Sequence, residues 1–183
     1  AVPYLMHVYG MDRSEAANYL LVASLGIVVS GPLVGYVSDR LLKSRRLPIL
    51  FMALLATGCW LAMAIWDGGK PPAWALYPLF GALGFSCSLA TLVLTSVKEA
   101  NPPRLAGLAI GTANGGFLGA ALLQPAMGYL LDSRWQGVSL EGARVYPQGA
   151  YQIALMIISA LSLVGLLGAA LMHESYGQVV AEE

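Results

Sequence analysis

The 183-residue chain is 57% hydrophobic and only 11% charged, with a formal net charge of zero. Soluble domains carry about 25% charged residues, so a chain this poor in charge lacks a surface fit for water and is expected to sit in lipid. Electroneutrality removes the basic face that nucleic-acid binding needs, and no nucleic-acid partner is expected.

Crossing the hydrocarbon core takes roughly 20 mostly apolar residues. Residues 1–9 are apolar but too short to span, and read as the outer end of a helix whose beginning is missing. With no initiator Met and no signal-peptide pattern, the opening reads as a cut edge. Five full-length runs follow, over residues 15–37, 47–66, 74–97, 105–131 and 149–172, before a polar tail at 174–183. Short polar connections separate them, two of them marked by Pro71-Pro72 and Pro102-Pro103. The longest connection, 132–148, has room for a turn of structure. The expected fold class is all-α: one polytopic transmembrane helical bundle over residues 1–183, without strand pairing.

The runs differ in polarity. In 15–37 and just beyond it, Ser24, Gly31, Gly35 and Ser38 share a side and suggest close packing. Run 47–66 offers only Thr57 and Cys59, and 149–172 only Ser159 and Ser162 beyond its first turn, so both are expected to face lipid. In 74–97, at about 100° per residue, Tyr77, Gly81, Gly84, Ser88, Thr91 and Thr95 fall on one stripe, as a wall facing a cavity or another helix would. In 105–131, Gly107, Gly111, Gly115 and Gly119 recur every four residues, a ladder for close helix packing. Asn114 lies at the edge of that ladder and Gln124 on a different face; both amides are costly in lipid. Pro32 and Pro125 can kink their helices.

Blander readings stand beside these. Hydroxyls can bond their own helix backbone, and His7 and His173 fit an interfacial position near helix ends. Cys59 and Cys87 are expected reduced and buried, with no zinc-type spacing and no cofactor. Arg40, Lys43, Arg45, Arg46, Lys98 and Arg104 fall on one side of the membrane and outnumber Arg13, Lys70, Arg134 and Arg144 on the other. The first side, with the carboxy terminus, is therefore expected in the cytoplasm, and the protein in the cell (inner) membrane.

Gly35-Tyr36-Val37-Ser38-Asp39-Arg40, followed by Lys43, Arg45 and Arg46, resembles the loop signature G-x-x-x-D-R-x-G-R-R/K of the major facilitator superfamily. Leu42 replaces the second glycine, and Ser44 stands where the last basic residue belongs. Residues 97–107 resemble the superfamily's link between its tenth and eleventh helices, and Asn114-Gly115-Gly116, Gln124-Pro125 and Pro3-Tyr4-Leu5 extend the likeness over nearly the whole chain. The resemblance implies the carboxy-terminal six-helix half of a secondary transporter working by alternating access. It also implies that the first, second, fourth and fifth helices of the half face a central cavity or the other half. The expected pathway residues are Tyr4, Tyr77, Ser88, Thr91, Asn114 and Gln124, and the expected gating loop is Gly35, Asp39, Arg40, Lys43, Arg45 and Arg46.

Hydroxyls and amides suit a small polar organic solute. With no acid in a membrane run beyond Glu15 at the start of the first, a coupling carboxylate would lie in the other half, or transport would be uniport or anion exchange. The expected partners are that solute, the bilayer and the missing amino-terminal half; without that half the fragment is expected to self-associate and to transport nothing. One alternative is a non-transporting scaffold or receptor of the same fold. An intramembrane serine protease built on Ser86 and His173 is another, but no GxSG sequence surrounds Ser86, and no catalytic residue is expected.

Overall fold

The computed structural model describes residues 1–140 and 143–174. Helix α1 spans Val2–Tyr9 and stops at Gly10, whose φ of 69° is left-handed. Helix α2, Arg13–Tyr36, opens with a reciprocal cap: the Asp12 carboxylate accepts the Glu15 N–H at 2.7 Å, and Glu15 reaches back to the Asp12 N–H. It widens into a π-type turn, Val37–Leu42, that ends on Lys43 at φ 48°. Helix α3 is Arg46–Ile65, α4 is Ala73–Ser86 and α5 is Ser88–Glu99. Helices α6, Ala106–Ser133, and α7, Gln148–Leu171, complete the bundle. Among the described residues five segments, with α4 and α5 joined as one, are long and apolar enough to cross a bilayer, so the chain is a multi-pass membrane protein of all-α class.

Two features depart from the sequence expectation. The run expected as one helix over 74–97 is interrupted at Cys87. The connection before α7 carries a two-residue antiparallel ladder, β1 Ser139–Leu140 with β2 Ala143–Arg144. That ladder is small enough to leave the class unchanged, and it satisfies backbone groups in a connection too long to be a simple turn.

The buried side chains form two cores, one towards each end of the bundle. At the end holding Gly10 and Trp66, Leu5, Tyr19, Met63, Leu76, Phe80 and Tyr151 pack together. At the end holding Arg45, Val34, Ile49, Met52, Leu92 and Ala169 do so. Helix α3 pairs along its length with α7, and α2 with α4. The α2–α4 contact is backbone on backbone. A Cβ added to Gly84 would sit 1.9 Å from the Ala23 carbonyl oxygen, and one added to Gly26 would sit 2.5 Å from that of Gly81. No side chain fits there, which is why both positions hold glycine.

The residues expected to give close packing do not give it here. Cβ atoms added at Gly31, Gly35, Gly107, Gly111, Gly115 or Gly119 meet nothing within 4 Å. None of the described side chains of α6 is buried, whereas the apolar helices α3 and α7 each bury one side against the other. Each of those two still shows one apolar face outward, through Phe51 and Leu54 on α3 and Leu163, Val164 and Leu167 on α7. Polarity alone does not say how much of a helix is buried, because a helix can present lipid on one side and protein on the other. Cys59 is buried as expected, but Cys87 is exposed; both thiols are free.

Candidate functional site

Two groups of residues stand out, exposed polar side chains on α4, α5 and α6 and a charged knot at the Arg45 end. On the face, Tyr77 is 45% exposed and stacks on Tyr19 of α2, ring centroids 4.3 Å apart and planes 28° apart. Thr91 is exposed one turn before Thr95, whose hydroxyl donates to the Thr91 carbonyl at 2.9 Å. Asn114 and Gln124 are exposed on α6. Ser88 is buried and donates to the Phe85 carbonyl at 3.1 Å, so its hydroxyl is engaged within its own chain segment. Tyr4 belongs elsewhere: it is buried in the core at the Trp66 end and donates to the Gly69 carbonyl at 2.6 Å. Sequence spacing aligned Tyr77 with Thr91 and Thr95 along one run, but could not reveal Tyr19, a stacking partner on a different element.

Around Tyr4, the end of α1 is tied down by aromatic hydroxyls. Tyr9 donates to the Pro71 carbonyl at 2.6 Å, and His7 Nδ1 lies 2.7 Å from the Tyr151 hydroxyl on α7. Beyond α6, Arg144 pairs with Asp132 at 2.8 Å and covers the Trp135 ring at 4.8 Å. That ion pair holds the Arg144 guanidinium above its ordinary range.

The charged knot centres on Arg45. Its Nε and Nη2 donate to the two oxygens of Glu99, at 2.9 and 2.6 Å, a bidentate fork joining the start of α3 to the end of α5. Its Nη1 donates to Ser38 Oγ at 2.9 Å and to Asp39. Ser38 Oγ in turn donates to the Ser44 carbonyl at 2.8 Å, closing the turn on itself. Glu174, just past α7, accepts the backbone N–H groups of Arg45 and Arg46 at 2.9 and 3.2 Å and the Ser44 hydroxyl. A carboxylate there also faces the positive end of the α3 dipole. Arg46 reaches the other way, donating to the Ala170 carbonyl at 2.7 Å. Pairing with Glu99, and then with Asp39, raises the Arg45 pKa.

Burial ranks these links. The Arg45 and Glu99 side chains are 12% and 13% exposed, whereas Asp39 is 55% exposed. Solvent screens the Asp39 pair to about 0.2–1 kcal/mol, while breaking a well-buried pair costs roughly 3–5 kcal/mol. Of the expected gating-loop residues, Arg45 is therefore the hub. Arg40 and Lys43 are exposed, and Gly35 is half-buried. Glu99 and Glu174 were missed as partners of Arg45: they lie 54 and 129 residues from it, and although Glu99 belongs to the 97–107 motif, nothing in the sequence joins either to Arg45.

Among the described residues no group of three His, Cys, Asp or Glu could hold a metal ion. The Ser86 hydroxyl donates to the Leu83 carbonyl at 2.7 Å, and His173 lies exposed beyond the end of α7.

Comparison with known proteins agrees with this architecture. An uncharacterized protein of Mycobacterium leprae (strain TN) is 33% identical over 103 residues, covering 52% of this chain and 16% of that protein. An uncharacterized protein of Mycobacterium tuberculosis (strain ATCC 25618 / H37Rv) is 30% identical over 128 residues, covering 62% of this chain and 23% of its own length. The chain thus matches less than a quarter of the length of these relatives. No solved structure matches it. The family model of the Major Facilitator Superfamily matches residues 1–182, and the chain belongs to that superfamily.

Proposed function

We propose that this chain is the carboxy-terminal half-bundle of a secondary transporter that carries a small polar organic solute by alternating access. One observation carries the reading. Thr91 on α5 and Asn114 and Gln124 on α6 are exposed, while the apolar helices α3 and α7 pair with each other. In a membrane, an open polar face needs either a water-filled pathway or a second set of helices, and alternating access between two halves supplies both. Thr91, Asn114 and Gln124, with Tyr77 towards the Trp66 end, form the pathway wall of this half. Ser88 supports the wall from behind, and the open glycine ladder of α6 meets the amino-terminal half.

The Arg45 end is cytoplasmic and the protein lies in the cell (inner) membrane, as the basic residues of its connections favour. There the loop from Ser38 to Arg46 latches the two halves. Asp39 is the residue to reach across, because it is the most exposed carboxylate of the knot and the cheapest to release from Arg45. Asp39→Asn is expected to slow transport with intact insertion, by shifting the balance between conformers.

The test is uptake by the complete protein in proteoliposomes, screened against labelled neutral and anionic organic solutes. For a solute that is taken up, Thr91→Leu or Asn114→Leu is expected to cut uptake roughly tenfold, the ~1.4 kcal/mol of a lost hydrogen bond, at unchanged expression. Uptake unaffected by both substitutions would remove these residues from the pathway. No uptake of any solute by well-inserted protein would favour a scaffold or receptor.

A further inference from the structure

The connection from α3 to α4 is held from the protein side by its backbone. Tyr4 and Tyr9 of α1 donate to the Gly69 and Pro71 carbonyls, both at 2.6 Å. Gln148 of α7 donates to the carbonyls of Asp67 and Gly68, at 3.0 and 3.1 Å. The Gly69 and Lys70 N–H groups both donate to the Trp66 carbonyl, at 3.0 and 2.9 Å. These bonds satisfy most of the loop's polar backbone and fix its course.

The charged side chains of Asp67 and Lys70 take no part in them. Both line one open concavity of about 500 Å³, together with Tyr9, Trp66, Pro71 and Pro72. The ion pairs among the described residues include neither of the two. Lys70 instead holds its ammonium 5.6 Å from the centre of the Tyr9 ring. The Asp67 carboxylate enters no hydrogen bond among the described residues; only its main-chain carbonyl accepts one from another side chain.

Asp67 also stands where a side chain is costly. Its φ is 45°, and those of Gly68 and Gly69 are 65° and 89°. Three successive left-handed residues suit glycine, and a Cβ there meets the backbone. Two of the three positions are glycine, while the third keeps an acid that has no use inside the fold. A strained residue of this kind is a mark of a site.

The depth of the concavity narrows the ligand. Trp66 and Trp74 meet edge to face, 5.8 Å apart, and are 42% and 70% exposed. Exposed indoles at the ends of spanning helices sit at the level of lipid headgroups. An acid and a base held unpaired at that level match a headgroup that carries both charges. A purely anionic group would be repelled by Asp67, and a purely cationic one by Lys70.

We propose that Asp67 and Lys70 form a site for the headgroup of phosphatidylethanolamine, with the carboxylate accepting from its ammonium and the lysine donating to its phosphate. Trp66 and Trp74 flank the acyl chains where they leave the site. A choline headgroup has no N–H to give Asp67, and a glycerol headgroup has no ammonium. The site does not rest on the transport reading.

The experiment is native mass spectrometry of the complete protein in detergent, titrated with dioleoyl phosphatidylethanolamine, phosphatidylcholine or phosphatidylglycerol. The wild type should bind the ethanolamine lipid about tenfold more tightly than either other lipid, the ~1.4 kcal/mol of that ratio. Asp67→Asn and Lys70→Gln should each abolish the preference, and Lys70→Arg should keep it. Asp67→Gly separates ligand binding from folding. It relieves the left-handed strain, so the unfolding temperature should be unchanged or higher while the preference is lost. Free phosphoethanolamine, carrying the same two charges without acyl chains, should not displace the lipid at equal concentration. Equal binding of the three lipids by the wild type would overturn the proposal, as would a preference that survives Asp67→Gly and Lys70→Gln. Displacement by free phosphoethanolamine would overturn the assignment to lipid in favour of a soluble zwitterion.

Discussion

Arg45 shows how a residue's neighbours decide its weight. Along the chain it is one basic residue among several between Arg40 and Arg46, and the resemblance drew equal attention to Asp39 and Arg40. In the fold it holds Glu99 with a two-pronged grip in a largely buried site, while Asp39 stays mostly in solvent. Arg45→Ala is therefore expected to destabilise the complete protein by up to about 3–5 kcal/mol, because Glu99 is left buried and unpaired. Asp39→Asn should cost no more than about 1 kcal/mol. Thermal unfolding in detergent checks the ranking, and equal losses for the two variants would contradict it. Lys43 offers a second residue-level test. Its φ of 48° is left-handed, a conformation that costs a side-chain-bearing residue about 1–2 kcal/mol. Lys43→Gly should raise stability by about 1 kcal/mol in the same measurement, and a loss of stability would mean that the lysine side chain has a partner worth more than the strain.

At the level of helices, period and length were legible, because each apolar run must match the membrane thickness. Which face meets which neighbour was not. The ladder from Gly107 to Gly119 is the most regular small-residue pattern in the chain, yet it is open here, while the close approach falls to Gly26 and Gly84. Spacing reveals that a backbone can be approached, not that anything approaches it. Gly84→Ala would drive a methyl into a backbone carbonyl that no rotamer change can relieve, so α2 and α4 must separate, at a cost of roughly 1–3 kcal/mol or more. Gly35→Ala meets open space and should stay within about ±0.5 kcal/mol. Comparing the yields of folded, monodisperse protein for the two variants tests this, and similar behaviour would place the α2–α4 contact elsewhere. The break at Cys87 escaped sequence reading for a related reason. Ser86, Cys87 and Ser88 stand out as polar positions, but whether their donors face a cavity or their own backbone depends on geometry that spacing does not carry.

For the molecule as a whole, composition settled the solvent and the helix class, and the motif order pointed to the superfamily. The open faces of α2, α5 and α6 are a property of the assembled chain that no single segment displays. A half-bundle carrying them is expected to self-associate in detergent, and cross-linking or light scattering of the fragment should show dimers or larger species. A stable monomer would argue that these faces need no partner. The central claim is that the polar faces of α5 and α6 border water while the outward faces of α3 and α7 border lipid. It is tested most directly by cysteine accessibility in the complete, membrane-embedded protein, with Cys59→Ala and Cys87→Ser removing the native thiols. Thr91→Cys and Asn114→Cys should react with a membrane-impermeant maleimide from at least one side of the membrane, and Leu54→Cys and Leu163→Cys should not. Labelling of Thr91→Cys and Asn114→Cys no faster than the two lipid-facing controls would contradict the account.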